Sequence, residues 1–137
     1  MRYIGKAHVR WDDIDAFGHI NNAKYLTYIQ EARFDFTWLS RVRAELKPYL
    51  VDMVVGRAEV DYVTPIYDAG FDAVVEIWVS RIGNSSFDMR YEIKSDKGLH
   101  AKARTVQVAI DMETKKSRPL TDEEREFLTQ YLELDAE

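Results

Sequence analysis

The 137-residue sequence contains no cysteine. This absence excludes disulfide bridges, thiolate nucleophiles and cysteine-ligated zinc, and it fits a reducing compartment. The chain also lacks the apolar leader that is typical of a signal peptide, and no stretch approaches the length of a membrane span. We therefore expect a cytoplasmic protein that has no membrane partner.

The sequence also has fewer positively charged than negatively charged residues. The 19 Lys and Arg residues are outnumbered by 24 Asp and Glu residues, which gives a net charge of -5. This balance argues against broad contact with nucleic acid or with an anionic membrane, although it leaves room for a local basic patch that binds one phosphorylated ligand. The length fits one domain over residues 1–137, and a chain of this size can bury a substantial core.

Apolar residues alternate with polar ones through much of the chain, and this period of two predicts strands. The predicted strands are 2–11, 54–63, 72–82, 86–94 and 99–110. Within the last of them the apolar positions change from odd to even numbers, which predicts a β-bulge near Arg104–Thr105. His8 and His100 fall in predicted strands, and we expect both at the surface.

A period of 3.6 replaces the alternation between about Asn22 and Ser40, where it predicts one long helix with Asn21 or Asn22 as its N-cap. A capping box, Thr121-Asp122-Glu123-Glu124, opens a short terminal helix. Because a sheet must cover its apolar face and only one long helix is available, we predict an α+β fold. In this fold an antiparallel sheet of about five strands wraps around the helix.

Several polar residues separate the first strand from the long helix. They are Asp12, Asp13, Asp15, Gly18, His19, Asn21 and Asn22. The free N–H groups and the dipole at a helix start favour negative charge, such as the oxyanion that forms when a thioester is attacked. A nearby carboxylate could attack the thioester carbonyl or activate a water. The same residue types also form ordinary turns and helix caps, so spacing alone leaves both interpretations open.

Other chemistries find less support. With three histidines and no Gly-x-Ser-x-Gly, the sequence does not indicate a serine-hydrolase triad. A calcium loop that starts at Asp13 would place Phe17 and Lys24 where an oxygen ligand and a glutamate are needed, so we reject it. A thioester is reactive by itself, and we therefore expect neither a metal nor another cofactor.

A family resemblance strengthens the catalytic interpretation. Residues 9–33, VRWDDIDAFGHINNAKYLTYIQEAR, resemble the signature of the 4-hydroxybenzoyl-CoA thioesterase-like branch of the hotdog superfamily. The resemblance continues through VDYVTPIYDAG (60–70), RIGNSSF (81–87) and VQVAID (106–111). The Gly-His-Ile-Asn-Asn segment is similar to that of bacterial acyl-CoA thioesterases of fatty-acid metabolism. The resemblance implies a hotdog fold that hydrolyses an acyl-CoA.

The same resemblance implies roles for individual residues. Asp15 is expected to be the nucleophile or general base, and the backbone N–H near Asn22 the oxyanion donor. Asp13 and Gly18 are expected to shape the turn beside the site. The expected substrate-binding residues are His19, Asn21, Tyr25, Ser85 and Ser86, with the two serines in a loop near the pantetheine tunnel. An ordinary polar turn explains these two serines equally well.

Hotdog subunits join their sheets edge to edge, so the resemblance further implies a homodimer or homotetramer with the acyl tunnel at the interface. This pairing would also cover an exposed sheet edge. Two alternatives remain open. One is a hotdog module that binds acyl-CoA without cleaving it, and the other is a hotdog dehydratase that acts on 3-hydroxyacyl thioesters through His19.

Overall fold

A computed structural model describes residues 1–136, in which five strands form one antiparallel sheet. The strands are β1 (Tyr3–Val9), β2 (Met53–Tyr62), β3 (Phe71–Ile82), β4 (Ser86–Ser95) and β5 (Gly98–Ala109). Their order across the sheet is β1-β3-β4-β5-β2. The first two strands of the sequence therefore form the two edges, and β3, β4 and β5 form the centre.

The long helix lies against the inner face of this sheet. It starts as α1 (Lys24–Phe34), continues through a π-helical turn (Asp35–Leu39) and ends with α2 (Ser40–Arg43). Its buried face includes Tyr25, Tyr28, Ile29, Ala32 and Phe36. The helix was thus predicted correctly, although it starts two residues later than expected and ends three residues later, and its N-cap is Ala23 and not Asn21 or Asn22.

The terminal helix α3 (Asp122–Thr129) begins with the predicted capping box. The Glu124 N–H donates to Thr121 Oγ1 at 3.1 Å, and the Thr121 N–H donates to Glu124 Oε1 at 2.9 Å. Together, the wrapped sheet, the long helix and the short helix confirm the hotdog fold that the resemblance implied. No helix within residues 1–136 is long and apolar enough to cross a membrane.

The predicted bulge at Arg104–Thr105 is wrong. There β5 pairs with β4 without interruption, and the register shifts instead at His100, between the pairs Ile93–Ala101 and Lys94–Leu99. The apolar phase changes for another reason, because the inner face of β5 carries two polar side chains that have partners. Thr105 Oγ1 lies 2.7 Å from the buried Tyr91 hydroxyl, and the Gln107 amide lies 3.3 Å from the Met89 sulfur.

Candidate active site

A tight turn joins β1 to the long helix. Ile14 and Ile20 form an antiparallel bridge at its base. Within the turn, the Asp15 N–H donates to the His19 carbonyl at 2.9 Å and the Gly18 N–H donates to the Asp15 carbonyl at 3.0 Å. Gly18 has a φ of 82°, in the left-handed region that favours glycine. The turn therefore holds Asp15 and His19 side by side.

The Asp15 carboxylate is held by two hydrogen bonds and remains partly accessible. Its Oδ1 accepts from the Phe17 N–H at 2.9 Å, and its Oδ2 accepts from the Asn21 amide at 3.3 Å. His19 Nδ1 lies 3.7 Å from the same Oδ2, and 19% of the Asp15 side chain is exposed. The carboxylate is thus oriented by its neighbours while part of it can still meet a substrate.

Asn21 links this carboxylate to the start of the helix. While its amide nitrogen faces Asp15, its Oδ1 accepts from the Ala23 N–H at 3.0 Å. The Lys24 N–H donates to the Asn21 carbonyl at 2.9 Å. The N–H of the exposed Asn22 has no acceptor within residues 1–136. Asn21 therefore bonds to the Asp15 carboxylate and directly precedes a residue with a free backbone donor near the positive end of a helix.

Asp13 connects the turn to the long helix. It is 3% exposed, and its Oδ2 accepts from the Tyr28 hydroxyl at 2.7 Å and from the Arg10 N–H at 3.0 Å. Burial alone would raise the pKa of the Asp13 carboxyl. The two hydrogen bonds and the positive charges of Arg10 and Lys24 outweigh that effect and leave the pKa below its ordinary value. Asp13 is therefore a buried carboxylate that stays charged, between the turn and the helix.

A cavity of about 240 Å³ opens beside the helix start. Its lining comes from the turn, the helix, the end of β2 and the segment after β2. The lining residues are His19, Ile20, Asn22, Tyr25, Tyr62, Val63, Thr64 and Pro65. The Tyr62 hydroxyl donates to the Asn22 carbonyl at 2.9 Å, and its ring meets the Tyr25 ring edge-on at 5.2 Å. Three of the predicted residues, His19, Asn22 and Tyr25, thus share one cavity, whereas Asp15 and Asn21 are not among its lining residues.

Residues 62–65 were not recognised from the sequence as part of the site. They follow the helix start by about forty positions, and no residue type among them indicates chemistry. His100 was expected at the surface, but it is only 2% exposed and contacts this same segment. The expected surface position of His8 is confirmed, because 60% of its side chain is accessible.

Ser85 and Ser86 lie at the other end of the sheet. Ser86 pairs with Val108 at the start of β4, whereas the cavity lies near Tyr62, whose partner Ala101 pairs with Ile93. Seven residues of strand separate the two ends, or about 23 Å. Within one chain the two serines are therefore remote from the cavity. Among residues 1–136, no three His, Asp or Glu side chains are grouped closely enough to hold a metal ion.

Comparison with known proteins identifies likenesses over almost the whole chain. Residues 9–128 match the model of the thioesterase-like superfamily. The 1,4-dihydroxy-2-naphthoyl-CoA hydrolase of Nostoc punctiforme is 29% identical over 97% of this chain and 88% of its own length. The long-chain acyl-CoA thioesterase FadM of Escherichia coli is 27% identical, over 90% of this chain and 95% of its own. A thioesterase of Thermus thermophilus, crystallised with coenzyme A and Zn, has a TM-score of 0.77 and 29% identity, covering 95% and 92% of the two chains.

Proposed function

Because the chain belongs to the thioesterase-like superfamily and two of its relatives are named thioester hydrolases, we propose that it hydrolyses an acyl-CoA to a free acid and CoA. One observation carries this proposal. The Asn21 amide donates to the Asp15 carboxylate, and the next residue, Asn22, lines a cavity and has a free N–H. A general base and an oxyanion donor are the two groups that thioester hydrolysis requires.

The proposed reaction assigns each group one step. Asp15 accepts a proton from water, and the water oxygen forms a bond to the thioester carbon. The carbonyl oxygen becomes an oxyanion that the Asn22 N–H stabilises, and one such donor contributes about 3 kcal/mol. The carbon–sulfur bond then breaks, and the CoA thiolate leaves and takes up the proton. Direct attack by Asp15, followed by hydrolysis of the anhydride, uses the same groups.

A panel of acyl-CoA substrates tests this proposal. The two named relatives act on an aromatic and on a long-chain acyl-CoA, so the panel should include aromatic, short-chain and long-chain acyl groups. We expect the wild type to release CoA thiol from at least one of them, measured with a thiol-reactive dye. Binding of the whole panel without thiol release would indicate a non-catalytic module. Water loss from a 3-hydroxyacyl-CoA would indicate the dehydratase.

The proposal also includes a second subunit, and the edge strand β2 supports it. Its inner-face residues lie opposite the buried inner face of β5 and are Met53, Val55, Ala58, Val60 and Tyr62. Although this face is apolar, Val55 is 47% and Tyr62 is 51% exposed, whereas the residues opposite them on β5 are buried. An apolar inner face at an open edge is a surface that a second copy of the strand would cover.

Antiparallel pairing of two β2 strands would place the Tyr62 end of one strand beside the Met53 end of the other. Each cavity would then border the partner's Met53 end of the sheet. Ser85 and Ser86 also lie at that end, near Val108, which pairs with Val54. We therefore assign the two serines a substrate-binding role that acts across the interface, together with His19, Asn21 and Tyr25 from the first subunit.

Light scattering tests this assembly. We expect the wild type at micromolar concentration to have at least twice the chain mass of 16.0 kDa. Val55→Glu places a charge on the inner face of β2 and should yield monomers with little activity. Val54→Glu, on the outer face of the same strand, is the matched control and should keep the wild-type mass. A monomeric wild type would contradict the assembly.

A further inference from the structure

Residues 62–66, the last residue of β2 and the segment that follows it, touch both parts of the candidate active site. The Ile66 carbonyl accepts from the Ile20 N–H at 2.8 Å, at the base of the turn that carries Asp15. The Tyr62 hydroxyl donates to the Asn22 carbonyl at 2.9 Å, at the start of the helix. The position of this segment therefore affects the distance and orientation between the carboxylate and the oxyanion donor.

His100 holds this segment from the opposite side. Its backbone carbonyl accepts from the N–H groups of Val63 at 2.8 Å and Thr64 at 3.2 Å. Its side-chain Nδ1 lies 3.0 Å from the Thr64 carbonyl. His100 has no partner residue in the pairing of β5 with β4. The pairing of β5 with β2 ends at the next residue, Ala101. The backbone of His100 is therefore free to bond to the segment.

The neighbours of the ring determine which nitrogen carries the proton. The Thr64 carbonyl can only accept, so Nδ1 must be the donor. Ser95 Oγ lies 2.6 Å from Nε2 and already accepts from the Lys97 N–H at 3.1 Å. Its hydroxyl proton is therefore available to donate to Nε2 of a neutral ring. This pair of bonds favours one tautomer and one orientation of the buried imidazole.

We propose that His100 is a positioning residue of the active site, which acts through Thr64 and Tyr62 to hold the residues just before the helix in place. The inference rests on the proposed thioester hydrolysis. The side chain of His100 touches no reacting atom. It sets the conformation of residues 62–66, and Tyr62 transmits that conformation to Asn22 through the Asn22 carbonyl, on the same residue as the proposed oxyanion donor. Loss of the Nδ1 bond should misplace the oxyanion donor without removing it.

Two substitutions of His100 separate this role from simple packing. In His100→Asn the amide nitrogen can replace Nδ1 as donor to Thr64, whereas in His100→Gln the longer side chain carries its amide towards Ser95. We expect kcat to fall about 10- to 100-fold in His100→Gln, since small misplacements of catalytic groups have effects of this size. His100→Asn should stay within about threefold of the wild type, and KM should change little in both. Equal kcat values for folded His100→Gln and wild type would overturn the inference.

A double-mutant cycle with Tyr62→Phe provides the sharper test. If His100 acts through the Tyr62 hydroxyl, the double variant should lose no more kcat than the worse single variant. Losses that multiply would mean that the two residues act independently, and would refute the proposed route. Should His100→Gln fail to fold, Tyr62→Phe alone takes its place, because the side chain is half-exposed and its hydroxyl is the proposed link to Asn22. An unchanged kcat in Tyr62→Phe would then overturn the inference.

Amide hydrogen exchange gives a readout that does not depend on turnover. The Ile20 N–H, bonded to Ile66, should exchange faster in His100→Gln than in His100→Asn or the wild type. An inactive wild type across the acyl-CoA panel would refute the proposed function. An active wild type with unchanged exchange and kcat in His100→Gln would refute only the role of His100.

Discussion

Asp15→Asn is expected to lower kcat for acyl-CoA hydrolysis by about 10²- to 10⁴-fold, the usual contribution of a general base. The amide has the shape of the carboxylate, and its oxygen can still accept from the Phe17 N–H, so the turn should keep its fold. It can neither take a proton from water nor attack the thioester. Because the Asn22 N–H is untouched, a residual rate above the uncatalysed one should remain. Thiol release under saturating substrate measures this loss.

Asp12→Asn is the matched control for this experiment. Asp12 lies in the same segment, its substitution changes the net charge equally, and 90% of its side chain is exposed. We expect its kcat to stay within about twofold of the wild type, since surface substitutions away from a site have small effects. If Asp15→Asn were as active as Asp12→Asn, the carboxylate of Asp15 would have no part in the reaction.

The strands and the helix could be predicted from the sequence because each leaves a local pattern. On a sheet that covers a helix, successive side chains alternate between core and solvent, so a period of two reveals each strand. The strand order, with β2 at one edge, depends on contacts between residues far apart and leaves no local pattern. The error in β5 has the same origin. The polar Thr105 can face the core because its hydroxyl hydrogen-bonds to Tyr91, which lies in another strand.

The candidate site also combines residues that could be predicted from the sequence with residues that could not. Asp15, Asn21 and Asn22 lie close together in the sequence, and their types suggested a site at the helix start before the structure placed them together. Tyr62 and His100 come from separate strands, and neither residue type stands out in its own segment. Only the fold brings Tyr62 to the helix start and His100 to Thr64. Local chemistry was therefore predictable, whereas the surroundings that position it were not.

Removal of the Asp13 carboxylate should strongly lower the free energy of unfolding. Asp13→Ala leaves the Tyr28 hydroxyl and the Arg10 N–H without an acceptor, and Tyr28 is only 3% exposed. Hydrogen bonds to charged groups contribute about 1.5–3 kcal/mol each, but the variant no longer buries a charge, so we expect the free energy of unfolding to fall by about 2–4 kcal/mol. Asp13→Asn keeps an acceptor oxygen and should cost about half as much. Asp12→Ala, on the exposed neighbour, should change stability by less than about 0.5 kcal/mol.

The difference between wild type and Asp13→Asn should also depend on pH. The pKa of Asp13 is lower in the folded protein than its ordinary value of 3.8, so the folded state binds the proton less readily than the unfolded state does. The stabilisation is therefore complete above pH of about 5 and is lost as the pH falls through 3.8 towards the folded pKa. The asparagine variant has no such group, so the two urea-unfolding free energies should converge in that acid range.

These measurements need equal protein concentrations, because subunit association adds to apparent stability. A difference as large at a pH of about 3 as at about 7 would mean that shape, and not the charge of Asp13, stabilises the turn.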